Sequence, residues 1–385
     1  MISALVGGRG APPRFQDTPP TRSERNHPVP NGIRITAALL VACALAPALR
    51  AQAPRDSSNA SSAPASRIPQ RARRASPWLP RLRLDNDAYN FWIHPGHRTD
   101  EEFSNGVVAS LETLRGTFWG RRIAPNTPDC GADTAHTGRC LTTRVEIGQV
   151  MYTPNLARPP FAFPDWRDER PYAGWLWLGA RGQSASRRSL REVEVQLGVN
   201  GPPALGQLSQ QVAHHINASY TTRARGWETQ VGFQPGIQLG ATHALLPIRA
   251  SVGTKAFMDF VPQGTVALGT VRTSADAGAR VRLGYNLSHP FDPRAWVGRT
   301  PLEYWVSASG RAAWVARDFS LDGSVLGDDR KVDRVAGVRE YAFGAGLRMH
   351  RLLLTWEATT RSRQYTTGPL HHTFSSMSAS WEFYR

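Results

Sequence analysis

A two-residue rhythm runs through the chain from about Trp78 onward, and it confines the fold to strands that present one apolar and one polar face. In "EVEVQLGVN", Val193, Val195, Leu197 and Val199 share one side, while Glu192, Glu194, Gln196, Gly198 and Asn200 share the other. "WETQVGFQPGIQL" repeats the device, setting Trp227, Val231, Phe233, Ile237 and Leu239 against Glu228, Gln230, Gln234 and Gln238. In "ARVRLGYNLS" and "YAFGAGLRMH", arginine or histidine shares the polar side with glycine, at Arg280 and Arg282 and at Arg348 and His350. Such strands suit either a soluble sheet buried on one side or a membrane barrel that is apolar outside and polar within.

The C-terminus separates the two. "SMSASWEFYR" alternates Met377, Ala379, Trp381 and Phe383 against Ser376, Ser378, Ser380 and Glu382. An amphipathic last strand ending in aromatic residues suits the closing strand of an outer-membrane barrel, because only helices and closed barrels satisfy the backbone in lipid. The strands number about twelve when residues 249–270 are counted as one strand with a bulge at Pro262, an even count that leaves both ends in the periplasm. The expected fold is therefore all-β: a twelve-stranded antiparallel transmembrane outer-membrane β-barrel with a short helix in an extracellular loop. Mean hydropathy is −0.39, and no apolar run reaches the roughly 18 residues a helical span needs.

The longest apolar run, Ile35–Leu49, follows Arg34 and ends near "AQA" at 51–53, which is the anatomy of a secretory signal. Cys43 within it also permits a lipoprotein cleavage reading, although apolar residues continue past it. The chain then divides into a presequence and signal over 1–53, a disordered linker rich in Ser, Ala, Pro and Arg over 54–77, and a barrel over 78–385. After export it keeps Cys130 and Cys140. A near pair in an oxidising compartment reads as one disulfide, two free thiols being the cytosolic alternative.

With a periplasmic N-terminus, the strands deliver three loops to one rim: residues 87–103, "TPNLARPPFAFPDWRDERP", and "GPPALGQLSQQVAHHINASYTTRARG". Charged residues gathered there from separate loops read as a site. In the third loop Leu205, Leu208, Val212 and Ile216 fall at helical spacing. They predict a short amphipathic helix that buries its leucines on the barrel wall and aims His214 at the rim. His214 and His215 could equally be solvated loop histidines; Asn86, Asp87, Ser104 and Arg170 at the same rim favour a site.

The stretches "LDNDAY" (84–89), "TDEEFSNG" (99–106), "GQVMYTP" (148–154), "DERPYAGWLWLG" (168–179), "VEVQLGVNGPPALGQLSQQVAH" (193–214), "GWETQ" (226–230) and "ALGTVRT" (267–273) occur in that order. As an ordered set they resemble the outer-membrane lipid A 3-O-deacylases, over most of the chain after the linker. The resemblance implies a twelve-stranded barrel with a calcium-dependent site near the membrane's outer surface, between the barrel wall and a helix of an external loop. The family's Asn-Asp pair falls on Asn86 and Asp87, with Asp87 the metal ligand, its hydroxyl before Asn-Gly on Ser104, and its histidine on His214 rather than His215. The interval from His214 to Gly226 is longer than the family's, so an acidic partner of the helix is left unplaced, Glu228 being a guess.

Ester hydrolysis needs a base to activate water and a positive centre for the oxyanion. Ca2+ takes oxygen ligands of the kind Asp87, Asn86 and loop carbonyls offer and polarises a carbonyl as a Lewis acid. His214, with an ordinary pKa of about 6.5, suits the base. Ser104 is either a nucleophile activated by His214 or, the preferred reading, a hydroxyl that positions water or substrate. Arg170 offers a fork for a lipid A phosphate, with Trp175 and Trp177 expected near the interfacial aromatic belt; alternatively Asp168, Glu169 and Arg170 pair with one another. The net charge of +16 suits an anionic lipopolysaccharide leaflet, and no nucleic-acid motif accompanies it. The expected function is a calcium-dependent outer-membrane esterase that removes the 3-O-linked acyl chain of lipid A. A phospholipid acyl hydrolase and a non-catalytic barrel, whether pore or structural protein, are the alternatives, the latter drawing on lumen space left by Gly344 and Gly346. Oligomeric state is not legible.

Overall fold

The computed structural model describes residues 78–87, 102–123, 125–130, 138–154, 168–216, 226–253, 255–291 and 302–381. The presequence, signal and linker expected over 1–77, and Phe383, lie outside them. The strands are β1 (Leu79–Asn86), β2 (Glu102–Thr113), β3 (Cys140–Thr153), β4 (Ala173–Ala185), β5 (Ser189–Asn200), β6 (Gln234–Leu245), β7 (Ile248–Val252), β8 (Ala256–Gly269), β9 (Arg272–Tyr285), β10 (Leu302–Asp318), β11 (Gly337–Met349), β12 (Leu352–Ser362) and β13 (His371–Trp381). Three helices accompany them among the described residues: α1 (Phe118–Ile123), α2 (Gly206–Ile216) and the single turn α3 (Phe319–Asp322).

Neighbours pair antiparallel in chain order, and β1 meets β13 from Arg81 opposite Ser380 to Asn86 opposite Ser375, which closes the sheet. Closure leaves no edge for unpaired backbone groups. β6 and β7 lie on the same side of β8: Gln238–Ala244 face Gly269–Gln263, and Ile248–Val252 face Phe260–Ala256. They form one stave broken at Leu246 and Pro247, so thirteen segments build a twelve-stranded barrel. The count agrees with the sequence, but the irregularity does not fall where expected. Residues 249–270 are the end of one stave and the whole of the next, and β8 runs through Pro262 without a break. Pro262 faces the gap between β6 and β7, so a residue lacking an N–H sits where the ladder has already lapsed.

Alternation sorts the side chains as the pattern requires. Leu82, Leu178, Leu197 and Leu268 stand exposed on the outer wall, while Arg81, Arg83, Asp85, Arg144 and Arg181 line the lumen. Charges turned inward are paired: Arg144 with Glu112 at 2.9 Å, Arg181 with Glu194 at 2.9 Å, and Arg282 with Asp259 at 2.6 Å. Pairing offsets their removal from water. Trp175 and Trp177 correct an expectation, because they lie inside the barrel and pack with Val271 and Phe319 instead of joining an interfacial belt. Lumenal glycines receive such rings: a Cβ on Gly148 would lie 2.1 Å from the Trp177 indole, and one on Gly346 would lie 2.1 Å from that of Trp305. At Gly346, therefore, the missing side chain seats an indole; it does not leave open space.

The chain enters and leaves the barrel at one rim, where the β2–β3 connection carries α1 and the Cys130–Cys140 disulfide expected from the sequence. The opposite, upper rim carries the three loops singled out above.

A candidate active site on the outer wall

At the upper ends of β1, β2 and β3 the ladder carries an irregularity. Phe103 pairs with Tyr152 and Asn105 with Met151, so Ser104 is an extra residue between them. A bulge of this kind re-aims the inserted side chain. Ser104 is fully buried, and its Oγ is hydrogen-bonded to Thr153 Oγ1. Asp85 lines the lumen, so alternation turns Asn86 outward, where it pairs in register with Asn105, the residue after Ser104. Asp87 follows and is buried. Asn86 and Ser104 thus lie side by side at the upper end of the β1–β2 pair, with Asp87 next in the chain.

Helix α2 rests against the outside of β3 and β4. Gly201, with φ at +79°, turns the chain out of β5 into a 3-10 turn over Pro202–Ala204. Gln149, outward-facing on β3, donates to Ala204 O at 2.5 Å and accepts from Ser209 Oγ at 2.6 Å. Trp227 Nε1 donates to Gln210 Oε1 at 2.7 Å, and its ring packs with Tyr172 and Met151. A Cβ on Gly206 would meet the Trp227 ring at 2.6 Å, so glycine is what allows the helix this close.

The helix is where the sequence places it, yet it sits the other way round. Leu208 is 53% exposed and Leu205 and Val212 are exposed too, whereas Gln210 is 1% exposed. The expectation of leucines against the wall fails because the surroundings of this wall are apolar; the polar stripe instead finds Gln149 and Trp227. His214 lies four residues after Gln210, so the helical repeat puts position 214 on the wall-facing stripe; its side chain, like that of His215, lies outside the described residues.

Arg170 also requires correction. Its side chain is 0% exposed, donating to Glu102 Oε2 at 2.9 Å and to Ser320 Oγ at 2.6 Å, with the guanidinium 4.4 Å from the centre of the Tyr152 ring. Tyr365 Oη donates to Glu102 at 2.6 Å and to Glu169 at 3.1 Å. Burial by the barrel and the nearby Glu102 carboxylate push the Tyr365 hydroxyl well above the ordinary tyrosine range, so it stays a donor. Arg170 is thereby a brace inside the rim, its donors turned from the surface where a phosphate would sit. The alternative of pairing within "DER" is not met either, since its carboxylate partner comes from β2. Glu102, Tyr365, Gln149, Gln210 and Trp227 were not singled out from the sequence as site residues; all but Tyr365 stand in stretches that carried the resemblance, but their hydrogen-bond partners lie from 17 to 263 residues away.

The model of the family described as "Outer membrane protein LpxR" matches residues 36–383. The chain belongs to the LpxR family. This is the deacylase-type family its ordered motifs resemble, and membership places the protein in the bacterial outer membrane. Among solved structures, LpxR from Salmonella typhimurium matches with a TM-score of 0.62 and 18% identity over 79% of this chain and 100% of that one, a likeness of fold. The β domain of the Bordetella autotransporter BrkA matches with a TM-score of 0.37 and 10% identity over 80% of this chain and 99% of that one. Among curated protein sequences none matches.

The donors at the upper end of the β1–β2 pair test the calcium that the family resemblance implies. Asp87 offers a buried carboxylate, Asn86 an amide, and Ser104 and Thr153 hydroxyls. All are hard oxygen donors of the kind Ca2+ accepts. Among the described residues no three His, Cys, Asp or Glu side chains converge. Asp87 and Asn86 would be among the oxygen donors to such an ion.

Proposed function

We propose that this outer-membrane protein is a calcium-dependent esterase that removes the 3-O-linked acyl chain of lipid A. The observation that supports the reading is the upper end of the β1–β2 pair, where Asn86 pairs in register beside the bulged Ser104 and Asp87 follows, together with a helix on the outside of β3 and β4 whose wall-facing stripe includes position 214. A site on the outer wall at the rim meets a lipid substrate in the leaflet, with no need for it to enter the barrel. Leu205, Leu208 and Val212 then face acyl chains, and the polar side of α2 covers the reacting ester.

In this reading Asp87 and Asn86 hold Ca2+, which when bound supplies positive charge to the ester carbonyl. His214 takes the proton of the attacking water and returns it to the departing sugar hydroxyl, the ester bond breaking to a free fatty acid and a 3-hydroxyl. Ser104, already engaged with Thr153, positions water or substrate. The lumen at this rim is filled by Trp175, Trp177, Val271 and Phe319, which favours an enzyme over a pore.

The test is mass spectrometry of lipid A after incubation with purified protein in calcium, in chelator, and with His214→Ala. Loss of one 3-linked acyl chain only with calcium and intact His214 is expected. Cleavage of phospholipid instead of lipid A would refute the substrate, and no cleavage under any condition would refute the enzyme.

A further inference from the structure

The reaction leaves one polar residue of the β1–β2 pair unused. Asn105 follows the bulged Ser104 on β2 and pairs in register with Asn86 on β1 and with Met151 on β3. Residues paired directly across antiparallel strands hold their Cβ atoms about 5 Å apart on one face. Met151 is in turn covered by Trp227, the ring that holds Gln210 of α2. Asn105 therefore stands on the outer wall between Asn86 and the ring on which the helix rests.

Below it the wall is apolar. Alternation gives Asn105 the same side as Val107, Ala109 and Leu111, whose neighbours across the ladder include Leu84, Leu82 and Ile147. Leu82, Leu111 and Ile147 stand exposed toward lipid. Val107 lies two residues lower, about 7 Å along the strand, so Asn105 is the last polar side chain of its column before that wall. Ser104 is already bonded to Thr153. The Asn105 side chain, by contrast, is only partly buried, and among the described residues no hydrogen bond engages it. An amide without a partner at the edge of lipid costs stability, and such a departure from the local pattern marks a functional position.

We propose that Asn105 is a further catalytic residue of the ester hydrolysis, its Nδ2–H donating to the carbonyl oxygen of the 3-O-linked ester while the acyl chain runs down the wall over Val107 and Leu84. The inference rests on the esterase reading and adds a donor to it. As the water oxygen bonds to the carbonyl carbon and its proton passes to His214, the C=O electron pair moves onto the carbonyl oxygen, where Asn105 meets the growing charge. The pair returns as the bond to the sugar oxygen breaks, and His214 hands that oxygen the proton. A donor already fixed on a strand needs no reorganisation while the charge develops.

The test uses the full chain in detergent micelles with purified lipid A. Asn105→Leu keeps the shape and suits a lipid-facing wall, so it should resist urea at least as well as wild type. Its kcat should fall about 10²–10³-fold, as when one oxyanion donor is removed, with the KM for lipid A and the calcium needed for half-maximal rate little changed. Asn105→Ala, which adds no bulk, should lose as much. A second readout needs no turnover: in the His214→Ala background, the infrared band of an isotope-labelled 3-O ester carbonyl in bound lipid A should rise in frequency when Asn105→Leu is added, because the donated hydrogen bond is lost. An unchanged kcat in both variants, or an unmoved band, overturns the proposal and leaves the esterase reading standing. A raised calcium requirement makes Asn105 a metal ligand, and a loss of stability that parallels the loss of rate makes it structural; either result overturns the proposal as well. If wild type cleaves no acyl chain from lipid A, the esterase reading has failed and this inference falls with it.

Discussion

Replacing Arg170 with methionine tests whether this side chain braces the rim or binds substrate. The substitution keeps most of the volume but removes the donors to Glu102 and Ser320 and the cation over Tyr152. Glu102, 1% exposed, is then left buried with Tyr365 as its remaining described donor. Breaking a buried ion pair at one partner costs about 3–5 kcal/mol; because Tyr365 still donates, the lower end applies, about 3 kcal/mol, or roughly a hundredfold in the folding equilibrium. Unfolding by urea in micelles, followed by tryptophan fluorescence, measures it, and hydrogen exchange should show the loss first around Ser320 and Tyr365. The double variant Arg170→Met/Glu102→Leu should recover most of the loss, because no charge is then stranded. A stability within about 0.5 kcal/mol of wild type, with a raised KM for lipid A, would refute the brace and restore Arg170 as a phosphate ligand.

Other outcomes follow from the same structure. The Tyr365 hydroxyl is held above its ordinary value by burial first and by the Glu102 charge next, whereas in the unfolded chain it ionises near about 10. Its contribution to stability is therefore intact below pH ~10 and falls as pH rises beyond that; Tyr365→Phe should flatten the alkaline limb in unfolding measurements between roughly pH 8 and 11. Gly346→Ala drives a methyl into the Trp305 indole and should lower stability by about 1–3 kcal/mol, an effect that Trp305→Leu in the same chain relieves. Replacing Cys130 and Cys140 by serine opens a short loop and should cost about 3 kcal/mol or less. It should leave lipid A hydrolysis unchanged, since the loop sits at the rim opposite the candidate site.

How far the site was legible depends on the kind of contact that makes it. Asn86, Asp87 and Ser104 lie in short motifs, and strand pairing alone sets Asn86 beside Ser104. Arg170 misled because its partners, Glu102 and Ser320, are 68 and 150 residues away, a separation at which local charge pattern says nothing about burial. Trp175 and Trp177 misled for a related reason: their strand is apolar on both faces here, so alternation could not tell lumen from lipid.

The helix after β5 shows the division most clearly. Its existence and length were written in the spacing of Leu205, Leu208 and Val212, because a 3.6-residue repeat is a property of the local chain. Likewise the two-residue alternation determined the strands, the aromatic-ended last strand pointed to their closing as a barrel, and the near cysteines read with an export signal pointed to their disulfide. Which side of the helix meets the wall was a tertiary matter. In water an apolar stripe turns inward, but against the outside of a membrane barrel the surroundings are themselves apolar. The stripe then gains nothing by burial, whereas Gln210 and Ser209 gain hydrogen bonds only by facing Trp227 and Gln149.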